Sequence, residues 1–486
     1  MSLRATALSH TCIEEGLMTK IAIVGAGGYV FPLRLIGDLL SFPELREATI
    51  ALLDIDAERL ERTASAAREL VDHHRFPTRI TATTDRRQAL DGASHVVVTF
   101  QVGGLDAYWL DVEIPRRYGL DQTVGDTLGP GGVFRFLRSA PVFRSLAADM
   151  AELCPEALLI NYANPMAMSC WYLDRLGVRT VGLCHSVQNT SRMLARQLGV
   201  PYDEVDYLAA GINHQAWFLR FRRGDDDLYP RLREVMTRRH LEQTGTDGLT
   251  ADRGEHSEEV RGDSVYEGGS ERVRTEIMDT FGYFHTESSH HASEYLPYFR
   301  KDAALVESYI QKRWDYYEVC AAHDEAGRTD ELLSRLKSEL APSVEYGAQI
   351  VYGMETGHPQ VIYGNVANRG QISNLPAGCC VEVPCLVDHN GVQPTVVGLL
   401  PPQCAAVNRT NVNVQELAVE AALTGDREHV YHAVALDPLT GALLTLKQIR
   451  AMVDELFAAE AAWLPDFVQR HLGAAMMHHS VPASKL

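Results

Sequence analysis

The sequence has no excess of positive charge, no long apolar run and no internal repeat. Its 486 residues include 45 Lys and Arg against 64 Asp and Glu, which gives a formal net charge of −19. This acidic balance argues against a nucleic-acid partner and against a membrane surface. No apolar run is long enough to span a bilayer. The length favours two or three domains, or one large two-part enzyme with a substantial core.

Cysteine is also sparse. The nine cysteines are scattered, and the first residues do not resemble a secretory leader. This usage favours reduced thiols in a cytoplasmic protein, with a chemical role for one of them. The last three residues, Ser484-Lys485-Leu486, form a peroxisomal address only in a host with peroxisomes, and we treat them as a coincidence.

A glycine-rich turn follows the first apolar run of the folded part. Residues 21–24 predict a buried strand, which leads through Gly25, Gly27 and Gly28 into a helix at residues 31–40. Glycines here allow a tight turn and the close approach of a pyrophosphate to the helix N-terminus. The motif is therefore a candidate dinucleotide-binding loop, although a Gly-x-Gly pair alone is weak evidence.

The next predicted strand, residues 49–53, strengthens that interpretation. It ends in Asp54, where an acidic residue would hold the ribose hydroxyls of NAD and repel the 2′-phosphate of NADP. Asp56 is an alternative, and it can equally cap the following helix. The sequence therefore predicts NAD as the cofactor.

Strands and helices alternate through the first part of the chain, which predicts an α/β fold with a Rossmann-type doubly wound parallel sheet. Gln101 follows a predicted strand at residues 95–100, at the edge where such sheets bind ligands, so it is a candidate cofactor residue. We predict an N-terminal tail over residues 1–17, an NAD-binding domain over 18–205, and a larger α+β domain over 206–486 for metal binding, substrate binding and oligomerisation. Apolar helical sequence from residue 417 onward indicates a homodimer or homotetramer.

Two short strings contain a possible metal pair. Cys184 and His185 follow a predicted strand, and His214 follows Asn213 between two others. Thiolate and imidazole suit a borderline-soft divalent metal. Cys184 and His214 are too far apart for a zinc-finger clip, so the fold must bring them together. The alternative is a buried cysteine and a core histidine.

Two further segments offer groups for a hydroxylated substrate. Residues 125–132 include Asp126, are too glycine-rich for a helix, and lead into a helix with Arg135 and Arg138. They form either a flexible surface loop or a loop that closes over the nicotinamide or sugar. Asn161 and Asn164 follow a predicted strand, where an Asn-Pro pair is by default a turn but can present an amide.

The segment 281–299 is unusually rich in titratable side chains, whereas residues 225–269 form a polar excursion. A charged amphipathic helix would explain part of this richness. The six groups are His285, Glu287, His290, His291, Glu294 and Tyr295.

These motifs occur in the order of one enzyme family, and they extend over nearly everything from residue 18 to about 470. With them the chain resembles family 4 of the glycoside hydrolases, closest to its α-galactosidase (melibiase) branch. They are Gly25-Ala26-Gly27, Leu53-Asp54-Ile55-Asp56, Asp126-Thr127-Leu128-Gly129-Pro130-Gly131-Gly132, Asn161-Tyr162-Ala163-Asn164-Pro165-Met166, Gly182-Leu183-Cys184-His185-Ser186-Val187, Gly211-Ile212-Asn213-His214, Thr286-Glu287-Ser288-Ser289 with Glu294-Tyr295, and Asn374-Leu375-Pro376 with Val381-Glu382-Val383.

The resemblance implies NAD, a divalent metal (usually manganese) and an elimination–addition mechanism, and the family is a known exception to two-carboxylate glycosidases. It makes Cys184 and His214 the metal ligands, His185 the proton donor to the glycosidic oxygen, and Asn164 a ligand of sugar hydroxyls. Gly25, Gly27 and Asp54 would hold NAD.

One position departs from the family pattern. Relatives place an Asp or Tyr base in the segment that matches residues 281–295, but here that position falls near Ser288 or Ser289. The remaining candidates for the base are Glu287, His291, Glu294 and Tyr295.

The implied partner is a small glycoside, and an α-galactoside of the melibiose type is favoured. α-Glucuronides, α-galacturonides and α-glucosides remain alternatives within the family. From other classes, an NAD-dependent 2-hydroxy-acid dehydrogenase would need neither the Cys–His pair nor the large second domain, and an NAD-sensing protein would not need Cys184, His185 and His214 together.

Overall fold

The computed structural model describes residues 19–245, 271–310, 313–324 and 329–467. The predicted N-terminal tail, the part of the polar excursion after residue 245 and the terminal Ser484-Lys485-Leu486 lie outside these residues.

Thirteen strands of the described chain form one sheet. They are β1 Lys20–Val24, β2 Thr49–Leu53, β3 Arg79–Thr83, β4 His95–Val98, β5 Leu158–Asn161, β6 Thr180–Gly182, β7 Val205–Ile212, β8 Gln215–Arg223, β9 Asp226–Asp227, β10 Phe284–His285, β11 Gln360–Ala367, β12 Cys380–Asp388 and β13 Gly391–Pro394.

The first six strands are parallel and lie in the spatial order β3-β2-β1-β4-β5-β6. This is the order of dinucleotide-binding sheets, which bind their ligand where the order reverses, between β1 and β4. Apolar residues occupy both faces because helices cover both, and β4 and β5 are buried along their full length. The predicted Rossmann-type sheet is confirmed.

Beyond β6 the sheet continues as the antiparallel strands β11, β12, β7, β8 and β10. Gly182 of β6 lies opposite Asn365 of β11, which lies opposite Glu382 of β12, which lies opposite Gly211 of β7. We call these four residues the junction row. They link strands on both sides of residue 205, so the predicted domain boundary there falls within one sheet and stays a prediction.

The described helices pack on this sheet, and none of them is long and apolar enough to cross a membrane. They are α1 Val30–Ser41, α2 Ala57–His74, α3 Arg86–Leu90, α4 Gly104–Arg117, α5 Gly129–Leu153, α6 Met166–Arg175, α7 Ser186–Leu198, α8 Tyr229–Gly245, α9 Arg272–Phe281, α10 Ser289–Tyr295, α11 Ala303–Tyr309, α12 Tyr316–Asp324, α13 Thr329–Ser338, α14 Gly347–Thr356, α15 Pro402–Thr424, α16 Arg427–Leu436, α17 Pro438–Leu443 and α18 Leu446–Ala459.

One expectation about the glycine-rich segment is wrong. Gly129 to Gly132 form the first turn of α5 rather than a loop, with Pro130 at a position that tolerates its missing N–H. A Cβ on Gly131 would lie 2.7 Å from the Asp111 carbonyl oxygen and 2.8 Å from that of Gly125. Glycine is therefore needed there for close packing of the helix start and not for flexibility.

Helix α5 also contributes a buried charge to the core. Arg138 donates to the Asp111 carboxylate from Nη1 at 2.8 Å and from Nη2 at 2.5 Å, and Nη1 donates to Glu460 at 2.7 Å. All three side chains are fully buried. Burial, followed by the charge of Asp111, raises the pKa of Glu460 to about 9, so Glu460 holds a proton at neutral pH and Arg138 balances Asp111 alone.

We expect Arg138→Met to reduce the free energy of unfolding by about 3–5 kcal/mol, because it leaves the Asp111 carboxylate buried without its cation. The exposed pair Arg68–Glu61 offers a control, and Arg68→Met should cost less than about 1 kcal/mol. Urea unfolding monitored by circular dichroism measures both. Equal losses in the two variants would show that the buried pair does not stabilise the fold.

Candidate active site

The two predicted metal ligands follow strands β6 and β7, and strands β11 and β12 lie between these two in the sheet. Cys184 follows β6, two residues after the junction row. His214 is the second residue of the two-residue turn between β7 and β8, with φ 61°. A left-handed backbone in a non-glycine residue is unfavourable and is kept only where the surrounding structure fixes it. The turn therefore fixes the direction in which His214 points.

These two side chains meet, and Glu287 joins them. Cys184 Sγ lies 3.2 Å from His214 Nε2, and Glu287 Oε2 lies 3.6 Å from the same nitrogen. The sulfur, the nitrogen and a carboxylate oxygen all lie within 4.8 Å of one another. A thiolate, an imidazole and a carboxylate are ligands that suit a divalent transition metal, so these residues fit the metal predicted from the sequence.

A chain of hydrogen bonds fixes the ring of His214 from behind. Its Nδ1 lies 3.0 Å from His291 Nε2, and His291 Nδ1 lies 2.9 Å from Glu294 Oε2. Thr127 Oγ1 lies 2.9 Å from both His291 Nε2 and the Tyr295 hydroxyl. Partners of this kind set the tautomer and orientation of a ligating histidine. His291 and Tyr295 are thus placed to orient His214 and not to contact a substrate.

Glu294 anchors this chain in the loop before α5. Its carboxylate accepts backbone N–H bonds from Thr123, Val124 and Gly125 at 2.5, 2.8 and 3.1 Å. Burial would raise its pKa, but the hydrogen bond from His291 and the backbone donors lower the pKa to about 2. Glu294 is therefore a structural carboxylate that stays ionised.

His185 lies on the opposite side of Cys184, as the N-cap residue of α7. Its Nδ1 is 3.5 Å from Glu345 Oε1. Burial opposes protonation of the ring, but the hydrogen bond and charge of Glu345 raise the pKa of His185 to about 10. His185 can therefore hold a proton over the neutral range, as an acid must.

A cleft opens beside His185 and Glu287. One face of α7 forms one wall, and residues around Arg274 and Ser288 form the other. Burial would raise the pKa of Glu287, but the charges of His214 and His291 lower it, so the carboxylate is ionised next to this space.

The predicted cofactor loop has the expected backbone. Gly25 has φ 96°, and a Cβ there would lie 2.6 Å from the Phe100 nitrogen. Gly27 donates its N–H to Asp54 Oδ2 at 2.7 Å, so the carboxylate at the tip of β2 lies against the glycine turn. Gly28 is exposed at the start of the helix region.

Asp54 and Asp56 have distinct places. Asp56 accepts the N–H groups of Glu58 and Arg59 as the N-cap of α2, which matches its alternative role. Asp54 remains at the mouth of the loop. Gln101 donates from Nε2 to the Gly104 carbonyl at 2.9 Å and accepts a bond from Arg135 at 3.0 Å.

The predicted substrate residues divide into two groups. Asn164 donates to Asp126 Oδ2 at 2.9 Å, and Asp126 approaches His291 Nε2 at 4.0 Å, so both lie beside the metal group. Asn161 does not. It is fully buried, and its amide donates to the Ala163 carbonyl and accepts the Ala163 N–H. The prediction that Asn161 contacts substrate is wrong, because its polar atoms stabilise the turn after β5.

Sequence reasoning missed three residues of this site. Thr127 and Glu382 lie in segments that the motifs include, but nothing in the sequence distinguishes them from their neighbours. Glu345 lies between α13 and α14 and belongs to no motif. Only the fold brings Glu345 to His185.

Comparison with known proteins agrees with this description. Residues 20–200 match the family 4 glycosyl hydrolase model, and residues 209–440 match the model of the C-terminal domain of that family. Because the two matches together include most of the chain, the protein belongs to family 4 of the glycosyl hydrolases. The dehydrogenase and NAD-sensor alternatives are thereby set aside.

Two relatives are similar over nearly the whole chain. An α-galactosidase of Bacillus subtilis (strain 168) is 40% identical over 93% of this chain and 100% of its own length. An α-galactosidase of Rhizobium meliloti (strain 1021) is 38% identical over 92% of this chain and 89% of its own length.

Solved structures show the same fold. A putative glucosidase, lplD, of Bacillus subtilis superposes with a TM-score of 0.77 at 27% identity, over 90% of this chain and 99% of that one. A 6-phospho-α-glucosidase from gut microorganisms, in complex with NAD and Mn²⁺, superposes with a TM-score of 0.73 at 22% identity, over 93% of this chain and 100% of that one.

We expect Glu294→Gln to reduce the free energy of unfolding at pH 7 by roughly 3 kcal/mol. This is the free energy that corresponds to lowering the pKa of the carboxyl group from 4.5 to about 2 on folding. A carboxyl group whose pKa is lower in the folded than in the unfolded protein stabilises the fold at every pH above its pKa in the unfolded protein. This stabilisation is lost as the pH falls to its pKa in the folded protein. The difference from wild type should therefore shrink between pH 4.5 and 2. Urea midpoints across this range, with exposed Glu47→Gln as control, test it; a difference that does not change with pH would contradict the assignment.

Proposed function

We propose that this protein is an α-galactosidase that requires NAD and a divalent metal. The observation that supports it most is the convergence of Cys184, His214 and Glu287 beside a cleft, at the edge of a sheet that also carries the Gly25 loop and Asp54. The two relatives with about two fifths of their residues in common with this chain are α-galactosidases. A direct displacement at the anomeric carbon would require neither the loop nor the metal pair.

The residues present fit both absent groups. Gly25 and Gly27 would let a pyrophosphate approach the turn, Asp54 would accept ribose hydroxyls, and Gln101 lies beyond the carboxyl end of β4. Cys184 and His214 would hold the metal. NAD, when bound, would supply an acceptor that takes a hydride from the sugar and returns it after water has added, and the metal would supply a Lewis acid.

Glu287 is the base in this proposal. Of the four candidates it lines the cleft, whereas His291, Glu294 and Tyr295 lie behind His214 with their polar atoms bonded to one another or to Thr127 and its loop. Its ionised carboxylate would remove the proton from the second carbon of the sugar. His185 would donate its proton to the departing glycosidic oxygen, and Glu345 keeps that proton on the ring.

Assays with a panel of nitrophenyl glycosides test the substrate. We expect turnover of the α-galactoside in the presence of NAD and Mn²⁺, and loss of activity after dialysis with a chelator that returns when both are added. The α-glucoside and α-galacturonide should react more slowly. Full activity in the dialysed, chelated protein would reject the proposal, and so would preference for another glycoside.

Hydrolysis in deuterated water tests the base. We expect wild type to place deuterium on the second carbon of the released sugar, as seen by proton NMR, because elimination breaks that C–H bond. Glu287→Gln should lower turnover about 10²–10⁴-fold while the protein still binds Mn²⁺.

Cys184→Ser is the matched control, and it should lose metal affinity as well as activity. If Glu287→Gln loses metal affinity to the same extent, Glu287 is a third metal ligand and not the base.

A further inference from the structure

Helix α5 presents two buried arginines, one turn apart, with very different surroundings. Each guanidinium nitrogen of Arg138 has a partner: Nε donates to the Val102 carbonyl, and the other two donate to Asp111 and Glu460. Arg135 is 8% exposed, yet among the described residues it has one hydrogen bond, from Nη2 to Gln101. Its Nε and Nη1 have no partner in the described chain.

Tyr108 contacts both Arg135 and the loop that contains Asp126. The guanidinium carbon of Arg135 is 5.1 Å from the ring centroid of Tyr108, and the Tyr108 hydroxyl donates to the Val124 carbonyl at 2.6 Å. Burial raises the pKa of Tyr108 well above 10.0; the charge of Asp126 adds to this and that of Arg135 opposes it. The cation and the carboxylate are therefore both near the same ring.

Asp126 has an unused atom as well. Oδ2 accepts the amide of Asn164, whereas Oδ1 has no hydrogen-bond partner among the described residues and lies 4.0 Å from His291 Nε2; the residue is 1% exposed. Burying charged donors and acceptors without partners is costly, and natural sites do so where a ligand supplies the missing bonds. The atoms without a hydrogen-bond partner here are two donors, Nε and Nη1 of Arg135, and one acceptor, Oδ1 of Asp126.

This combination has a chemical preference. A hydroxyl group can accept a bond from Arg135 and donate one to Asp126. A carboxylate or phosphate would be attracted by Arg135 but repelled by Asp126, whose lone pairs it cannot satisfy. The position also lies between the predicted cofactor residue Gln101 and the Asn164 amide, where a substrate would meet the cofactor.

We propose that Arg135 and Asp126 together bind the hydroxyls of the sugar ring, and that the pair selects neutral sugars over sugars with a carboxylate at this position. The inference deepens the proposed function, because it takes the glycosyl group as the ligand. Arg135 is a binding residue that no motif distinguished from Arg138.

The test uses holoenzyme with NAD and Mn²⁺, and D-galactose and D-galacturonic acid as competing ligands. Arg135→Met should weaken galactose binding about 10–100-fold, while the dissociation constant of NAD changes less than about two-fold. Arg135→Lys, which keeps the charge but only one donor position, should give an intermediate loss. Exposed Arg68→Met should leave both constants unchanged. Thermal unfolding of each variant confirms that it is folded.

Asp126→Asn provides the second arm. It removes the repulsion, so the ratio of galactose to galacturonate affinity should fall at least about ten-fold relative to wild type. A weakened NAD constant with unchanged sugar binding in Arg135→Met would overturn the proposal and assign Arg135 to the cofactor. Unchanged binding of both would make Arg135 structural and overturn it too. If wild type prefers another neutral glycoside and Arg135→Met weakens that sugar instead, the α-galactosidase proposal fails while the role of Arg135 stands.

Discussion

The site depends on two strand pairings of a single residue each. Gly182 opposite Asn365 joins the parallel half of the sheet to the antiparallel half, and Glu382 opposite Gly211 joins β12 to β7 within the antiparallel half. Cys184 and His214 each lie two or three residues beyond a glycine of this row, so the row determines their separation. A Cβ on Gly182 would lie 2.4 Å from Met166 Sδ, and one on Gly211 would lie 2.6 Å from the Gln215 carbonyl. A larger residue at position 182 would meet side chains of α6, and one at position 211 would meet β8, so either would shift the strand that precedes a ligand.

The middle of the junction row also shapes the electrostatics of the site. Asn365 and Glu382 are fully buried, and Glu382 Oε2 has no hydrogen-bond partner in the described chain. Burial raises the pKa of Glu382 to about 7, and the nearby His214 opposes that rise. Besides burial, the charges of Glu382 and Glu287 raise the pKa of the Cys184 thiol, whereas the charge of His185 lowers it. Burial raises the pKa of Cys184 to about 12, so a thiolate there requires a compensating positive charge such as a divalent ion.

The sequence predicted those parts of the molecule that contiguous residues determine. The parallel strands have local signals and are confirmed. The Gly25 turn, Asp54 and the Cys184–His214 pair also have local signals, and their roles stay predictions. The sequence alone could not predict contacts made by residues far apart in the chain. Glu345 reaches His185 across 160 positions, and the carboxylate of Glu294 binds a loop about 170 positions earlier. The one element predicted wrongly is the glycine-rich start of α5. A glycine-rich segment looks the same in sequence whether its glycines provide flexibility or allow close packing, and at Gly131 they allow close packing. Asn161 and Asn164 occur in one motif, and only burial shows that one of them serves the turn.

Histidines illustrate how environment, and not residue type, assigns roles in this site. His285 and His185 are both close to the cleft, and burial acts on both in the same direction. For His285, burial and then the charge of Arg274 lower the pKa to about 3, so the ring is neutral and packs edge-on to Trp217 at 5.3 Å between centroids. For His185, the carboxylate of Glu345 overcomes burial, and the ring keeps its proton. His214 and His291 bond to each other, and the other ring nitrogen of His214 lies close to Cys184 and Glu287. When neighbouring groups shift the pKa values of titratable residues in one site in opposite directions, the acid and base assignments follow from those neighbours. Among these histidines, His185 is paired by the fold with a carboxylate from a distant loop.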